Sequence, residues 1–184
     1  MHMVWALSKD FGASGFRVGV LCTQNELVAA AIGNLNIFTG VSFPMQAVVA
    51  NLLADDAFVD DFLAFSSRAL VESYSIVTTT LEELHIGFIP VQAGIFVYCD
   101  FSSMLPSQSS DGEKRFAALV MKAARIVMTP GQSQRDLKPG MFRICYAWVS
   151  SDVLKIAMSR LTAICKVIGE QGWEGLDETD ITVV

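Results

Sequence analysis

The longest periodic stretch of the chain begins at Asp55. Phe58, Phe62, Ala69, Tyr74, Val77, Leu81 and Leu84 recur at spacings of three, four or sums of these, and Asp60, Asp61, Arg68, Glu72 and Glu82 fall on the opposite face. This pattern predicts a helix of about 28 residues, about 42 Å long, which is long for a compact domain and suits an element joining two domains. Asp55 and Asp56 match the positive end of its dipole. Before it, Phe16-Arg-Val-Gly-Val-Leu-Cys-Thr23 is apolar and β-branched and predicts a strand entered through Gly12 and Gly15. A helix over 25–34 follows, then a second opened by Ser42-Phe43-Pro44 and running to about Leu53, with the proline in its first turn. After Gly87 the texture changes. Strands are predicted over 87–90, 94–100, 125–128 and 141–147, with a serine-rich loop over 102–112 and a short helix over 114–124. A last helix is capped by Ser151, presents Leu154, Ala157, Met158, Leu161, Ile164 and Ile168, and stops at Gly169.

The order of strand, helices, long helix and mixed unit predicts an α/β protein. Residues 1–54 form one part, 55–85 the long interdomain helix, 86–171 a small C-terminal domain and 172–184 a flexible acidic tail. No internal repeat is present.

Composition narrows the function. The 184 residues are 52% hydrophobic and 17% charged, and the mean hydropathy is +0.45. Either the buried fraction is unusually large or some surfaces are normally covered. No apolar run reaches the about 18 residues of a transmembrane helix, and the N-terminal apolar run is too short for a signal peptide. The net charge of −6 argues against nucleic acid and anionic membranes as partners. Cys22, Cys99, Cys145 and Cys165 form no CxxC pair, and His2 and His85 are the only histidines, so no metal site is expected. Buried free thiols in a reducing cytoplasm are the expected state of the cysteines.

Two segments carry candidate chemistry. In Ser8-Lys9-Asp10-Phe11-Gly12-Ala13-Ser14-Gly15-Phe16-Arg17-Val18-Gly19, a lysine after an apolar run precedes a glycine-containing turn that returns an arginine eight positions later. Lysine forms a Schiff base only as the neutral amine, and burial or a nearby cation favours that form. Arg17 has the fork geometry for a phosphate, and Ser8 adds a hydroxyl. The plain alternative is a solvated lysine at a strand end. In Pro139-Gly140-Met141-Phe142-Arg143-Ile144-Cys145-Tyr146, strand alternation puts Arg143 on one face with Met141 and Cys145. A buried arginine needs an anion, either an internal carboxylate or the carboxylate of a substrate.

These two segments resemble class I/II aminotransferases, which are pyridoxal-phosphate (PLP) enzymes. Ser8-Lys9-Asp10-Phe11-Gly12 followed by Gly15-Phe16-Arg17-Val18-Gly19 is similar to their PLP-attachment region, most of all in the branch resembling 1-aminocyclopropane-1-carboxylate (ACC) synthase. The likeness continues through Thr129-Pro130-Gly131 and Lys138-Pro139-Gly140-Met141-Phe142-Arg143 to about Ile168.

The resemblance implies a fold made of the C-terminal part of the PLP-binding large domain and the small C-terminal domain. It implies that Lys9 forms the Schiff base and later moves the α-proton, that Ser8 and Arg17 hold the cofactor phosphate, and that Arg143 holds the α-carboxylate of an amino-acid substrate. It also implies a cytoplasmic homodimer for the full-length form. These residues do not separate transamination from ACC-type elimination. Two departures stand out. Ala6 occupies a position that is often a phosphate-binding serine or threonine. In the family the lysine lies past the middle of the chain, so this sequence is expected to correspond to the C-terminal half. The aspartate, aromatic ring, asparagine and tyrosine that surround the cofactor ring would belong to the preceding half. A truncated enzyme and an inactive fragment that acts only as a binding or dimerisation partner both remain open.

Overall fold

The computed structural model describes residues 1–173, so the predicted tail lies outside the described residues from 174 on. The chain divides into two compact units, one up to Arg68 and one from Ala69 on.

The first unit opens with a strand that the apolar pattern did not reveal. Strand β1 (His2–Ala6) pairs antiparallel with β2 (Gly19–Thr23), in a register that sets Ala6 against Gly19 and His2 against Thr23. The connection contains a one-turn helix, α1 (Leu7–Asp10), and a 3-10 turn over Ser14–Phe16. The expected strand from residue 16 begins only at Gly19, because Arg17 adopts the left-handed conformation (φ 54°) and closes the turn. Trp5 meets Phe11 edge-on at 6.4 Å, and Phe11 stacks on Phe62 at 5.3 Å, so an aromatic cluster holds the turn. Helix α2 (Glu26–Thr39) runs beyond the predicted residue 34; the Asn25 carboxamide caps it by accepting from the amides of Leu27 and Val28. Helix α3 (Phe43–Leu53) starts as predicted, with Pro44 in its first turn. No described helix is by itself long and apolar enough to cross a membrane; α2 and α3 satisfy the length and composition test only as a pair bent by 115°.

Helix α4 (Asp56–Glu83) is the predicted 28-residue helix, and the division between the units falls within it. Asp55 accepts from the amide of Phe58 at 3.0 Å, which fixes its start.

The second unit holds a four-stranded antiparallel sheet, in the order β3 (Gly87–Ile89), β4 (Phe96–Asp100), β6 (Met141–Cys145), β5 (Thr129–Pro130). Alternation divides its two central strands cleanly. Val97, Cys99, Phe142 and Ile144 are buried, and Phe96, Tyr98, Asp100, Met141, Arg143 and Cys145 lie half-buried on the other face. The buried face joins α4 through Val77 and Leu81, α5 (Ser110–Leu119) through Phe116, and α6 (Ser151–Gln171) through Leu154, Met158, Leu161 and Ile164. Phe101, Phe116 and Phe142 form a trio with ring centroids 5.4–5.8 Å apart at its centre.

Three expectations need correction here. Residues 125–128 are not a strand: α5 ends in a π-helical turn over Val120–Ala124, Arg125 closes it in the left-handed region (φ 60°), and the amide of Ile126 reaches back to the Val120 carbonyl. Pairing begins only at Thr129. Helix α5 starts earlier than predicted, at Ser110, because the Ser109 hydroxyl accepts from the Gly112 amide. The last helix passes Gly169 and ends at Gly172, whose φ of 68° suits glycine, and its N-cap is Ser150 rather than Ser151.

Candidate active site

In the first unit the β1–β2 register determines which side chains meet. Beyond the Ala6–Gly19 pair the ladder continues with one more bond, from the Leu7 amide to the Val18 carbonyl at 3.3 Å. Ser8 and Arg17 follow this pair on either side, so the backbone leads both, with Lys9 next in sequence, from the same end of the hairpin, although neither Ser8 nor Lys9 lines the cleft that Arg17 lines. The turn between is held by Ala13 N to Leu7 O at 3.2 Å and Phe16 N to Ala13 O at 3.1 Å. The Trp5 indole donates to Asp10 at 2.5 Å, which ties α1 back to β1.

Ser8 is half-buried, and its hydroxyl has no partner among the described residues. Arg17 is exposed; it spends one donor on the Ser14 carbonyl at 2.9 Å and keeps the rest of its fork available. It lines a cleft of about 590 Å³ with Gly19, Asn36, Thr39 and Gln46. A hydroxyl and a guanidinium at one end of a hairpin suit a phosphate group, which asks for several short donors and positive charge. Lys9 is exposed rather than buried as expected of a Schiff-base lysine. The reason is local: Leu7 is the residue of α1 that turns inward, at 0% exposure, and two positions further round a helix faces the other way.

Arg143 stands in the second unit, on the half-buried face of β6. Its register neighbours are Tyr98 on β4 and Thr129 on β5. The guanidinium donates to the Thr129 hydroxyl at 3.4 Å, and its central carbon lies 4.2 Å from the centroid of the Phe96 ring, the diagonal neighbour on β4. No carboxylate pairs with it among the described residues. Of the two readings of a strand arginine, the internal ion pair is not found among the described residues. The side chain faces a cleft of about 400 Å³ whose walls include Ile89, Val91, Tyr98 and Asp136. Tyr98 donates to Asp136 at 2.7 Å; burial, and then this carboxylate, push its hydroxyl well above the ordinary tyrosine range.

Glu113, 1% exposed, fastens the loop that leads into β6: its two oxygens accept from the amides of Gln132 at 3.2 Å and Gly140 at 2.8 Å. Sequence reasoning passed over Phe96, Tyr98 and Glu113, and met Thr129 only within the motif Thr129-Pro130-Gly131, with no role given to it. Alternation within 96–100 offered a signal for the first two, since it puts Phe96 and Tyr98 on one face. Nothing in one sequence pairs that face with Arg143.

The fold is that of aminotransferases. The aromatic aminotransferase of Pyrococcus horikoshii superposes with a TM-score of 0.76 at 20% identity, over 92% of this chain and 43% of that one. A mutant aspartate aminotransferase of Thermus thermophilus gives 0.77 at 21% identity, over 89% and 43%. The model of the family "aminotransferase class I and II" matches residues 1–161, and the chain belongs to that family. Among curated relatives, the 1-aminocyclopropane-1-carboxylate synthase-like protein 1 of Arabidopsis thaliana is 36% identical over 161 residues, which is 88% of this chain and 33% of that protein. The 1-aminocyclopropane-1-carboxylate synthase 2 of the same plant is 35% identical over 162 residues. The chain thus spans about a third of the length of the curated relatives it matches.

Proposed function

We propose that the protein acts in PLP-dependent chemistry on an α-amino acid, of the aminotransferase or ACC-synthase-like kind. The single observation that carries this is the hairpin register, which returns Arg17 and Ser8 to one end beside Lys9. In this reading the Lys9 amine attaches the cofactor and moves a proton at the substrate α-carbon. The Ser8 hydroxyl and the Arg17 fork bind the phosphate, and Arg143, braced by Thr129 and Phe96, orients the substrate by its carboxylate. When bound, PLP supplies the electron sink that stabilises the deprotonated α-carbon. Ala6 leaves the phosphate one hydroxyl short. The protein would work in the cytoplasm as a homodimer; the exposed apolar residues Leu27, Ile37 and Phe38 of α2 favour a covered surface of this kind.

A second reading, a non-catalytic binding or dimerisation partner, is favoured by the exposure of Lys9.

Titration of the full chain with PLP, followed by its visible absorbance, tests the phosphate site. Loss of a charge-assisted contact predicts that Arg17→Leu weakens PLP binding by roughly 10- to 100-fold, and Ser8→Ala by about 2- to 10-fold. Equal affinity in Arg17→Leu and the unaltered chain would remove the basis of the proposal.

A further inference from the structure

The cleft lined by Arg143 is also lined by a second arginine, Arg135. Arg135 closes the 3-10 turn Gly131–Gln134 in the left-handed conformation, at φ 65°. Few non-glycine residues adopt that conformation, and it aims the residue differently from its neighbours in the turn. The turn is fixed on both sides. The Arg135 amide donates to Gln132 O at 3.0 Å, the Asp136 amide to Gly131 O at 3.0 Å, and the buried Glu113 accepts from the Gln132 amide. Gly131 is packed so tightly that a Cβ there would stand 2.6 Å from the Tyr98 hydroxyl. The backbone that carries Arg135 is therefore held against the sheet that carries Arg143.

The carboxylates nearby are already engaged. One oxygen of Asp136 accepts from Tyr98 at 2.7 Å and the other from the Lys138 amide at 2.9 Å. Asp100 is paired with Lys138. Neither Arg135 nor Arg143 has a carboxylate partner among the described residues. Two cationic residues thus line one cleft of about 400 Å³ together with the apolar Ile89, Val91, Phe96 and Val97 and the polar Tyr98, Gln134 and Asp136, the last of which holds hydrogen bonds from neutral donors. The chain as a whole carries a charge of −6, so it repels dianions in general, and an affinity for one needs a local cause.

We propose that Arg135 is a specificity-determining residue that selects amino acids bearing a second anionic group, such as a side-chain carboxylate, alongside the carboxylate held by Arg143. This inference rests on the reading of Arg143 as the carboxylate site. A short aliphatic chain would lie along Ile89 and Val91, with one carboxylate at each guanidinium. Arg135 is exposed, so its contribution is that of a solvated charge pair strengthened by its fork, worth about a tenfold preference.

The test measures binding of succinate and butyrate, four-carbon acids with two and one carboxylates, to the full chain by calorimetry or amide chemical shifts. The unaltered chain is expected to bind succinate about tenfold more tightly. Arg135→Gln should bring succinate to within about twofold of butyrate and leave butyrate unchanged, while Arg143→Gln should weaken both. Circular dichroism checks that both variants are folded. A succinate preference that survives Arg135→Gln, with both affinities still lost in Arg143→Gln, overturns this inference alone. Affinities untouched by Arg143→Gln, or no binding of either acid at about 50 mM, overturn the Arg143 reading and this inference together.

Discussion

Asp136 shows how a single carboxylate orders the wall of a cleft. Hydrogen bonds from the Lys138 backbone and then from the Tyr98 hydroxyl hold it below the usual aspartate value of 3.8. Asp100 is also depressed: burial pulls it upward, but hydrogen bonds from Lys138 and Ser102 outweigh this. A carboxylate whose value is lowered by folding stabilises the native state above its ordinary value, and that stability is lost as the pH falls through the folded value. Asp136→Asn should therefore lower the melting temperature at about pH 6. The difference from the unaltered chain should shrink toward zero as the pH falls below 3.8 and through the lowered folded value. Thermal melts over this range check the sign; a gap that widens in acid would contradict it.

At the scale of elements, two glycines separate conformational need from incidental use. Gly140, at φ 95°, enters β6 against Ser102, whose Cα would lie 2.5 Å from an added Cβ. Gly140→Ala should cost about 2–4 kcal/mol, through the clash and the left-handed backbone together. Gly33, inside α2, has nothing within 4 Å of an added Cβ, and Gly33→Ala should stabilise by about 0.5–1 kcal/mol. Denaturant unfolding of the two variants checks both signs.

The same elements show what the sequence could disclose. Helices α4 and α6 and strand β6 were legible because their apolar spacing is long or strongly alternating, and α3 because Ser42-Phe43-Pro44 marks its start. In β6 this extended to the face on which Arg143 stands. Strand β1 was not legible, since Met3 and Val4 are both exposed and give no alternation. The left-handed turns at Arg17, Arg125 and Arg135 were invisible for a different reason: arginine carries no preference for that conformation, and tertiary contacts impose it. Lys9 and Arg17 were found as a motif, but their common place at one end of a hairpin depended on β1. Arg135 and Glu113 act through pairings between distant segments and had no sequence signal.

At the scale of the molecule, the two units differ in how they are stabilised. From Val77 to Ile168 a continuous apolar cluster with three phenylalanines at its centre fills the second unit. In the first unit, Leu7 and Val49 are the only fully buried apolar residues among those described, and Leu27, Phe38 and Phe43 are each more than 80% exposed. The apolar excess of the composition is therefore concentrated where Lys9, Ser8 and Arg17 lie. The proposed attachment of the cofactor to Lys9 belongs to that unit.

Borohydride reduction of the full chain in the presence of PLP, followed by peptide mass mapping of the unaltered chain and of Lys9→Ala, addresses this directly. The account predicts one stable label per chain on Lys9, absent in Lys9→Ala and diminished in Arg17→Leu. Label scattered over several lysines, unchanged when Lys9 is replaced, would contradict it.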